Sequence, residues 1–200
     1  MNFVKVDGTN QQVIMTLHGT GGSATDLFSV AKQLDANATL IGFQGEVYEG
    51  KMARYFARYP DGSFDFRSLA KATYDLKESI DNVIEKFQLQ NHHIVLLGYS
   101  NGANLAISYL KEFEDVPIDV MLLYHSSLVR PQDSIKPQDQ LKVLITSGEN
   151  DPFVTKEQFQ VIKQAFIDAG IETETYRHSF GHQLIQEEIA VSKELLDQNG

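Results

Sequence analysis

Residues 93–110 read HIVLLGYSNGANLAISYL, an apolar run that meets a G-x-S-x-G motif and continues with helical periodicity. The five residues of the motif are Gly98, Tyr99, Ser100, Asn101 and Gly102. A chain that turns from a strand into a helix within so few residues strains its backbone at the serine and leaves no room for side chains at the two glycines. We therefore predict that Ser100 stands on a tight turn beyond the end of a strand, where its hydroxyl is exposed as a nucleophile.

The rest of the chain alternates strand-like and helix-like segments. The predicted strands are QVIMTLH (12–18), ATLIGFQ (38–44), HIVLLGY (93–99), IDVMLLYH (118–125), KVLITSG (142–148) and IETETYR (171–177). Apolar residues recur at helical spacing between them, and Thr155 with Gln158 predicts a capping box at the start of one such helix. This order predicts an α/β fold, with a mostly parallel sheet, helices on both faces and a single domain over residues 1–200.

Composition excludes several classes of protein. The chain carries 17 Lys and Arg against 27 Asp and Glu, a net charge of −10, and no basic run, so we expect no binding to nucleic acid. It has no cysteine, which excludes disulfides, thiolate metal sites and a cysteine nucleophile. No apolar run approaches the ~20 residues that span a bilayer, and the N-terminus lacks a signal-like segment. We expect a cytoplasmic location and no membrane insertion.

A serine nucleophile needs a base, and the base needs an acid to orient it. Parallel sheets place such groups beyond the carboxyl ends of their strands, in the order Ser, acid, His along the chain. The stretch ENDPFV offers Glu149 and Asp151, and we favour Asp151 because the Asp-Pro pair turns the chain beyond the strand. The stretch HSFGHQL offers His178 and His182. We favour His182 because it follows the flexible Gly181, whereas His178 can still belong to the strand.

The stretches LHGTGG, GYSNGA, GENDPFV and GH, in this order, resemble the α/β-hydrolase fold. The resemblance is to the compact carboxylesterase and lysophospholipase-like branch, which has no large cap domain. It implies a triad of Ser100, Asp151 and His182, and an oxyanion hole made by the backbone N–H groups of Thr20 and Asn101. The implied function is a serine esterase that cleaves small to medium carboxylic esters through an acyl-enzyme. A thioesterase or a lysophospholipase would use the same triad.

The stretch EGKMARYFARYPDGSFDFRSL (49–69) is similar to a segment of a bacterial branch of these hydrolases that is associated with hydroquinone and catechol resistance. It follows the second predicted strand and should lie beside the site. Four aromatic residues would then line an apolar substrate site, or else hold a long loop against the core: Tyr48, Tyr55, Phe56 and Phe64. Arg54 and Arg58 could attract an acidic substrate, but arginines in a loop are usually surface residues, so we expect them on the surface without a role in substrate binding.

The stretch LHGTGGSA (17–24) also permits a different function. Its residues Gly19, Gly21 and Ala24 match the dinucleotide-binding pattern G-x-G-x-x-G/A, and Glu46 is loosely placed as the acidic partner of a ribose. A nucleotide-binding module is therefore an alternative, although it leaves His18 without a role and the later motifs as coincidences. In the hydrolase interpretation, this glycine loop presents the Thr20 N–H, and the His18 ring bonds nearby backbone.

The remaining histidines show no metal-ligand spacing. His92 and His93 precede a strand at its amino end, and His125 ends another strand, where we expect a structural role. We predict no metal and no organic cofactor, and a small-molecule ester as the partner. The oligomeric state is open, and a homodimer is compatible with the sequence.

Overall fold

The computed structural model describes residues 1–198, so the last two residues of the predicted domain lie outside it. Within this range the chain forms nine strands and five helices. In chain order they are β1 (Phe3–Val6), β2 (Gln12–Leu17), α1 (Phe28–Leu34), β3 (Thr39–Phe43), β4 (Val47–Glu49), β5 (Met52–Arg54), α2 (Phe66–Phe87), β6 (His93–Tyr99), α3 (Asn101–Glu112), β7 (Val120–Tyr124), β8 (Lys142–Gly148), α4 (Lys156–Asp168), β9 (Glu172–His178) and α5 (Gln186–Asp197).

The central sheet has seven strands in the order β1-β3-β2-β6-β7-β8-β9. Its last six strands are parallel, and β1 pairs antiparallel with β3 at one edge. All six predicted strands are present, which confirms the mostly parallel sheet. The sequence analysis did not predict β1, α1 or the antiparallel hairpin of β4 and β5, because these elements have only three to seven residues and no sustained periodicity.

Helices cover both faces of the sheet, as predicted. The apolar faces of α2, α3 and α4 pack in one hydrophobic cluster, and those of α1 and α5 pack in the other. The predicted capping box at α4 is confirmed, since the Thr155 hydroxyl accepts from the Gln158 N–H at 3.2 Å and the Gln158 side chain accepts from the Thr155 N–H. The described chain has no large cap domain, and none of its helices is long and apolar enough to cross a membrane.

The register of the parallel strands brings their carboxyl ends to one edge of the sheet. Leu17 of β2 lies opposite Gly98 of β6, and Gly148 of β8 lies opposite His178 of β9. The loops that leave β2, β6, β7, β8 and β9 therefore emerge side by side. These loops carry the residues that the sequence motifs single out.

Two glycines allow the turn from β6 into α3. A Cβ atom at Gly102 would lie 2.1 Å from the Leu17 carbonyl oxygen, and one at Gly98 would lie 2.8 Å from the Ala103 nitrogen. Between them, Ser100 has a φ of 51°, a left-handed conformation that non-glycine residues rarely adopt. The close packing and the backbone strain predicted from the G-x-S-x-G motif are both present.

Substitution of Gly102 tests this constraint on stability. We expect Gly102→Ala to lower the free energy of unfolding by about 2–4 kcal/mol, because the backbone of β2 must move to admit the new methyl group. The control is Gly50→Ala, where the added Cβ meets nothing within 4 Å but the φ of 61° is unfavourable. It should cost only about 1 kcal/mol in the same urea titration. Equal losses in the two variants would contradict the steric argument.

Candidate active site

Ser100 lies at the carboxyl edge, directly before the first residue of α3. Its N–H donates to the Tyr124 carbonyl at 2.8 Å, and its own carbonyl accepts from the Asn104 N–H at 2.9 Å. The backbone is thus held on both sides of the strained residue. The side chain is half-buried and points into a cleft, with the positive end of the α3 dipole behind it.

The structure brings together the three residues that the sequence analysis paired. The Ser100 hydroxyl lies 2.9 Å from His182 Nε2, and His182 Nδ1 lies 2.7 Å from Asp151 Oδ2. A carboxylate only accepts hydrogen bonds, so His182 Nδ1 carries the proton and Nε2 is free to accept from the serine. This is the arrangement that a base needs in order to take a proton from the serine hydroxyl.

Asp151 is buried on the loop after β8 and is ionised despite its burial. Burial alone would raise the pKa of its carboxyl group, but hydrogen bonds from His125, the Phe153 N–H and His182 outweigh burial and hold this pKa below its usual value. The Phe153 N–H donates to Oδ1 at 2.9 Å, while both histidines donate to Oδ2. The negative charge therefore stays beside His182 throughout the neutral pH range.

The two residues that sequence analysis ranked second point elsewhere. Glu149 is exposed on the loop before Asp151. His178 is the last residue of β9, and its Nδ1 accepts from the Phe180 N–H at 3.1 Å. Its ring lies beside His125, with Nε2 3.4 Å from Glu188 Oε2, and His178 does not line the cleft that holds the serine.

Tyr99 supports the loop that carries His182. Its hydroxyl donates to the His182 carbonyl, and its ring lies 5.6 Å from the imidazole, centroid to centroid. Burial, with smaller contributions from the charges of Asp151 and Glu188, raises the pKa of Tyr99 to about 12. The hydroxyl therefore keeps the proton that it donates.

The glycine loop after β2 lies beside the serine, and Thr20 and Asn101 both line the cleft. Because Asn101 is the first residue of α3, its N–H has no acceptor within the helix. His18 is buried and shapes the loop as predicted, since Nδ1 donates to the Gly19 carbonyl at 2.7 Å and Nε2 accepts from the Gly45 N–H at 3.0 Å. Burial lowers the pKa of His18, so its ring is neutral and fixed in one tautomer.

Residues 53–55 brace this loop and the start of α3. The Ala53 carbonyl accepts from the Gly21 N–H at 2.8 Å, and Arg54 Nη1 donates to the Thr20 hydroxyl at 2.8 Å. The Tyr55 N–H donates to Asn101 Oδ1 at 2.8 Å. Arg54 is buried, which corrects the expectation of a surface position, because its guanidinium also bonds the Phe56 carbonyl and fixes the hairpin.

Of the four aromatic residues expected to line a substrate site, Phe64 lines the cleft. Tyr48 is 65% exposed on β4, outside the cleft, and Phe56 is fully buried in the core. Tyr55 is also buried, and its hydroxyl accepts from the His18 N–H at 3.0 Å and donates to the Phe43 carbonyl at 2.8 Å. The buried positions of Tyr55 and Phe56 match the alternative interpretation, in which they hold the loop against the core.

The cleft has a volume of about 270 Å³. Its walls include two arginines, Arg54 and Arg58, and the apolar side chains of Met52, Phe64 and Phe153. Sequence analysis missed Met52 and Phe153 as wall residues. Phe153 could have been found from its position two residues after Asp151, in the loop that must face the serine.

Two groups of side chains in the described chain come close enough to share a metal ion. They are His125, Asp151 and His182, and His125, His178 and Glu188. In both groups the facing atoms already pair with one another, as His125 does with Asp151 at 2.8 Å and with Glu188 at 3.1 Å. These contacts are accounted for without an ion, and the absence of a metal cofactor stays a prediction.

Comparison with known proteins identifies the family. The sequence model of the dienelactone hydrolase family matches residues 4–194. The chain belongs to the dienelactone hydrolase family. It is 35% identical to the putative hydrolase MhqD of Bacillus subtilis (strain 168), over 97% of this chain and 96% of that protein. Together with the solved carboxylesterase described next, this match supports the carboxylesterase-like branch of α/β hydrolases suggested by the motifs.

Solved structures of other proteins show the same architecture. The carboxylesterase of Bacillus cereus superposes with a TM-score of 0.94 at 30% identity, covering 100% of this chain and 95% of that one. A carboxylesterase from Mesorhizobium loti superposes with a TM-score of 0.87 at 21% identity, covering 95% and 90%. The second match shows the fold alone. Together they establish the α/β-hydrolase fold, and the family makes the chain a hydrolase.

The geometry of this hydrolase disfavours the nucleotide-binding alternative. In a dinucleotide fingerprint the glycines open directly into a helix, whose N-terminus binds the pyrophosphate. Here α1 begins only at Phe28, and Gly21 bonds the hairpin instead. Glu46, the candidate ribose ligand, accepts from the Asn2 side chain at 2.6 Å.

The structural role of Tyr55 can be tested against Tyr48. We expect Tyr55→Phe to lower the free energy of unfolding by about 1–3 kcal/mol, because the buried His18 N–H loses its acceptor. Tyr48→Phe, at an exposed position, should change it by less than about 0.5 kcal/mol. Urea denaturation measures both. A stable Tyr55→Phe protein with a raised KM for esters would instead make Tyr55 a substrate-binding residue.

Proposed function

We propose that the protein is a serine carboxylesterase that cleaves small to medium carboxylic esters through an acyl-enzyme. The observation that carries this proposal is the continuous hydrogen-bonded path from the Ser100 hydroxyl through His182 to the ionised Asp151. The path opens into a cleft beside two candidate backbone donors, so nucleophile, base and oxyanion stabiliser would face the same substrate carbonyl.

In the proposed first half-reaction, Ser100 Oγ attacks the acyl carbon while His182 Nε2 takes the hydroxyl proton. The carbonyl oxygen becomes an oxyanion that accepts from the Thr20 and Asn101 N–H groups. Asp151 stabilises the His182 imidazolium by accepting a hydrogen bond from the imidazolium Nδ1–H. The tetrahedral intermediate then collapses, the C–O bond to the alcohol breaks, and His182 returns its proton to the leaving oxygen.

In the second half-reaction, a water molecule takes the place of the alcohol. His182 removes a proton from the water as it attacks the acyl carbon, and the same N–H groups bind the second oxyanion. Collapse breaks the bond to Ser100 Oγ, which recovers its proton from His182 and releases the carboxylic acid. The wall residues Met52, Phe64 and Phe153 favour an apolar acyl or alcohol group in the cleft.

Substitution of the serine tests the nucleophile. We expect Ser100→Ala to lower kcat for p-nitrophenyl butyrate by about 10⁴- to 10⁶-fold, because the acyl-enzyme can no longer form. Ser29→Ala, at an exposed position on α1, should keep full activity. A fluorophosphonate probe should label the parent protein at Ser100. Undiminished hydrolysis by Ser100→Ala would refute the proposed triad.

The same machinery serves a thioesterase or a lysophospholipase, since an oxyanion hole contacts only the acyl carbonyl. Oxygen esters, thioesters and lysophospholipids with matched acyl chains separate these activities through their kcat/KM values. A preference for a thioester or a lysophospholipid would replace the carboxylesterase assignment and leave the triad intact.

The choice of acid is tested by a matched pair of carboxylates. Asp151→Asn should lower kcat by about 10³- to 10⁴-fold, because an amide can neither enforce the reactive tautomer of His182 nor stabilise its imidazolium. Glu149→Gln removes an exposed carboxylate two residues away and should leave kcat within about twofold of the parent. The reverse ranking in steady-state assays would make Glu149 the acid.

A further inference from the structure

A second chain of buried polar groups continues from the site on the far side of Asp151. Asp151 Oδ2 accepts from His125 Nδ1 at 2.8 Å as well as from His182. The other nitrogen of the same ring, His125 Nε2, lies 3.1 Å from Glu188 Oε1. The His125 side chain is fully buried, and so are the two carboxylate side chains that it contacts. One imidazole therefore bridges two carboxylates in the core.

The hydrogen-bond pattern fixes the protonation of this bridge. An ionised carboxylate offers no proton, so the contact of each carboxylate with His125 requires an N–H on the ring. A neutral imidazole has one N–H and would direct a lone pair at one carboxylate. Glu188 also accepts from the Thr146 hydroxyl and the Ile185 N–H, and His178 Nε2 lies 3.4 Å from its Oε2, all of which suit an ionised carboxylate. His125 with both nitrogens protonated satisfies its contacts with both carboxylates.

We propose that His125, held as an imidazolium between Asp151 and Glu188, is a positioning residue that sets the protonation of His182. This inference rests on the proposed triad and adds a second histidine to its hydrogen-bond network. His125 acts through Asp151, because two donors share the one oxygen that faces His182. It also places a positive charge close to His182, with ring centroids 5.1 Å apart.

The backbone supports a functional role for this residue. His125 has a φ of 54°, a left-handed conformation for a residue with a Cβ atom. Its N–H donates to the Thr146 carbonyl at 3.0 Å, which holds the turn at the end of β7. In this conformation the ring contacts Asp151 Oδ2 at 2.8 Å.

Several titratable groups face the His125 ring. They are Asp151 from the loop after β8, Glu188 from α5, His178 from β9, His182 from the loop after β9, and Tyr99 from β6. Burial opposes charge on His125, but the hydrogen bonds and charges of Glu188 and Asp151 outweigh it and raise the pKa of the ring. Burial would likewise raise the pKa of Glu188, but its bonds to His125 and Thr146 lower it. The hydrogen-bond geometry and these directions agree.

The sign of the effect on the reaction follows from the charges. A positive charge at His125 disfavours a second positive charge on the adjacent His182 ring. Removal of His125 takes away the positive charge beside His182. This holds whether Glu188 stays ionised or takes up a proton. The acid limb of the kcat/KM profile should then move to higher pH.

The experiment compares pH profiles of kcat/KM for p-nitrophenyl butyrate. His125→Gln should move the acid limb upward by about one pH unit and leave KM within about twofold, since His125 does not line the cleft. His92→Gln, a histidine removed at the amino end of β6, should leave the profile unchanged. Active-site titration with a fluorophosphonate normalises each rate to folded protein. An acid limb unmoved by His125→Gln overturns the inference.

A double variant and a spectroscopic measurement guard against misfolding. His125→Gln with Glu188→Gln removes the bridge and its buried carboxylate together, and should show the same upward shift. In the parent protein labelled with ¹⁵N-histidine, the ring whose signals are lost in His125→Gln should show two protonated nitrogens at neutral pH. A neutral ring there overturns the inference. The NMR signal of His125 does not depend on turnover, so it tests this inference separately from the proposed triad. If the triad is wrong, the Ser100→Ala protein stays active.

Discussion

Helix α3 can lie against the end of β2 because residue 102 is glycine. Any side chain at this position would overlap the Leu17 carbonyl oxygen. This approach makes the chain turn from β6 into α3 at Ser100, and the turn requires the left-handed backbone found there. The same contact sets the start of α3 beside the loop that follows β2. One steric constraint thus places the candidate nucleophile and both candidate oxyanion donors relative to one another.

Asp151 and Glu188 create the main electrostatic problem of the fold. Both side chains are fully buried, and the ion pairs in residues 1–198 bring no lysine or arginine to either one. The positive charge beside them comes from histidines, and His125 contacts both carboxylates. In the proposed bridge this ring links Glu188 to Asp151 and, through Asp151, to His182. A lysine or arginine in place of His125 would neutralise charge without that link, and its longer side chain would not fit the bridge.

Sequence analysis was most successful where the chain is long, apolar and ordered by motif. Continuous apolar runs such as HIVLLGY predicted buried parallel strands. The order of motifs at the strand ends predicted that Ser100, Asp151 and His182 act together, and these residues lie within hydrogen-bond distance. Sequence analysis could not decide between the two interpretations of Tyr55, because a tyrosine has the same composition whether its hydroxyl faces a substrate or a core carbonyl. It could not find Glu188, which reads as a solvated charge near a helix N-terminus yet is fully buried. Only tertiary packing separates these cases.

The hairpin of β4 and β5 and the residue that follows it combine two tasks. The hairpin residues Met52 and Arg54 form a wall of the cleft, while Ala53, Arg54 and Tyr55 hold the glycine loop and Asn101. Successive residues of a strand face opposite ways, so one short segment can reach both the cleft and the core. The consequence is that the wall cannot change independently of the brace. A substitution at Arg54 that reshapes the cleft also releases the Thr20 hydroxyl, and so disturbs the proposed oxyanion hole together with substrate fit.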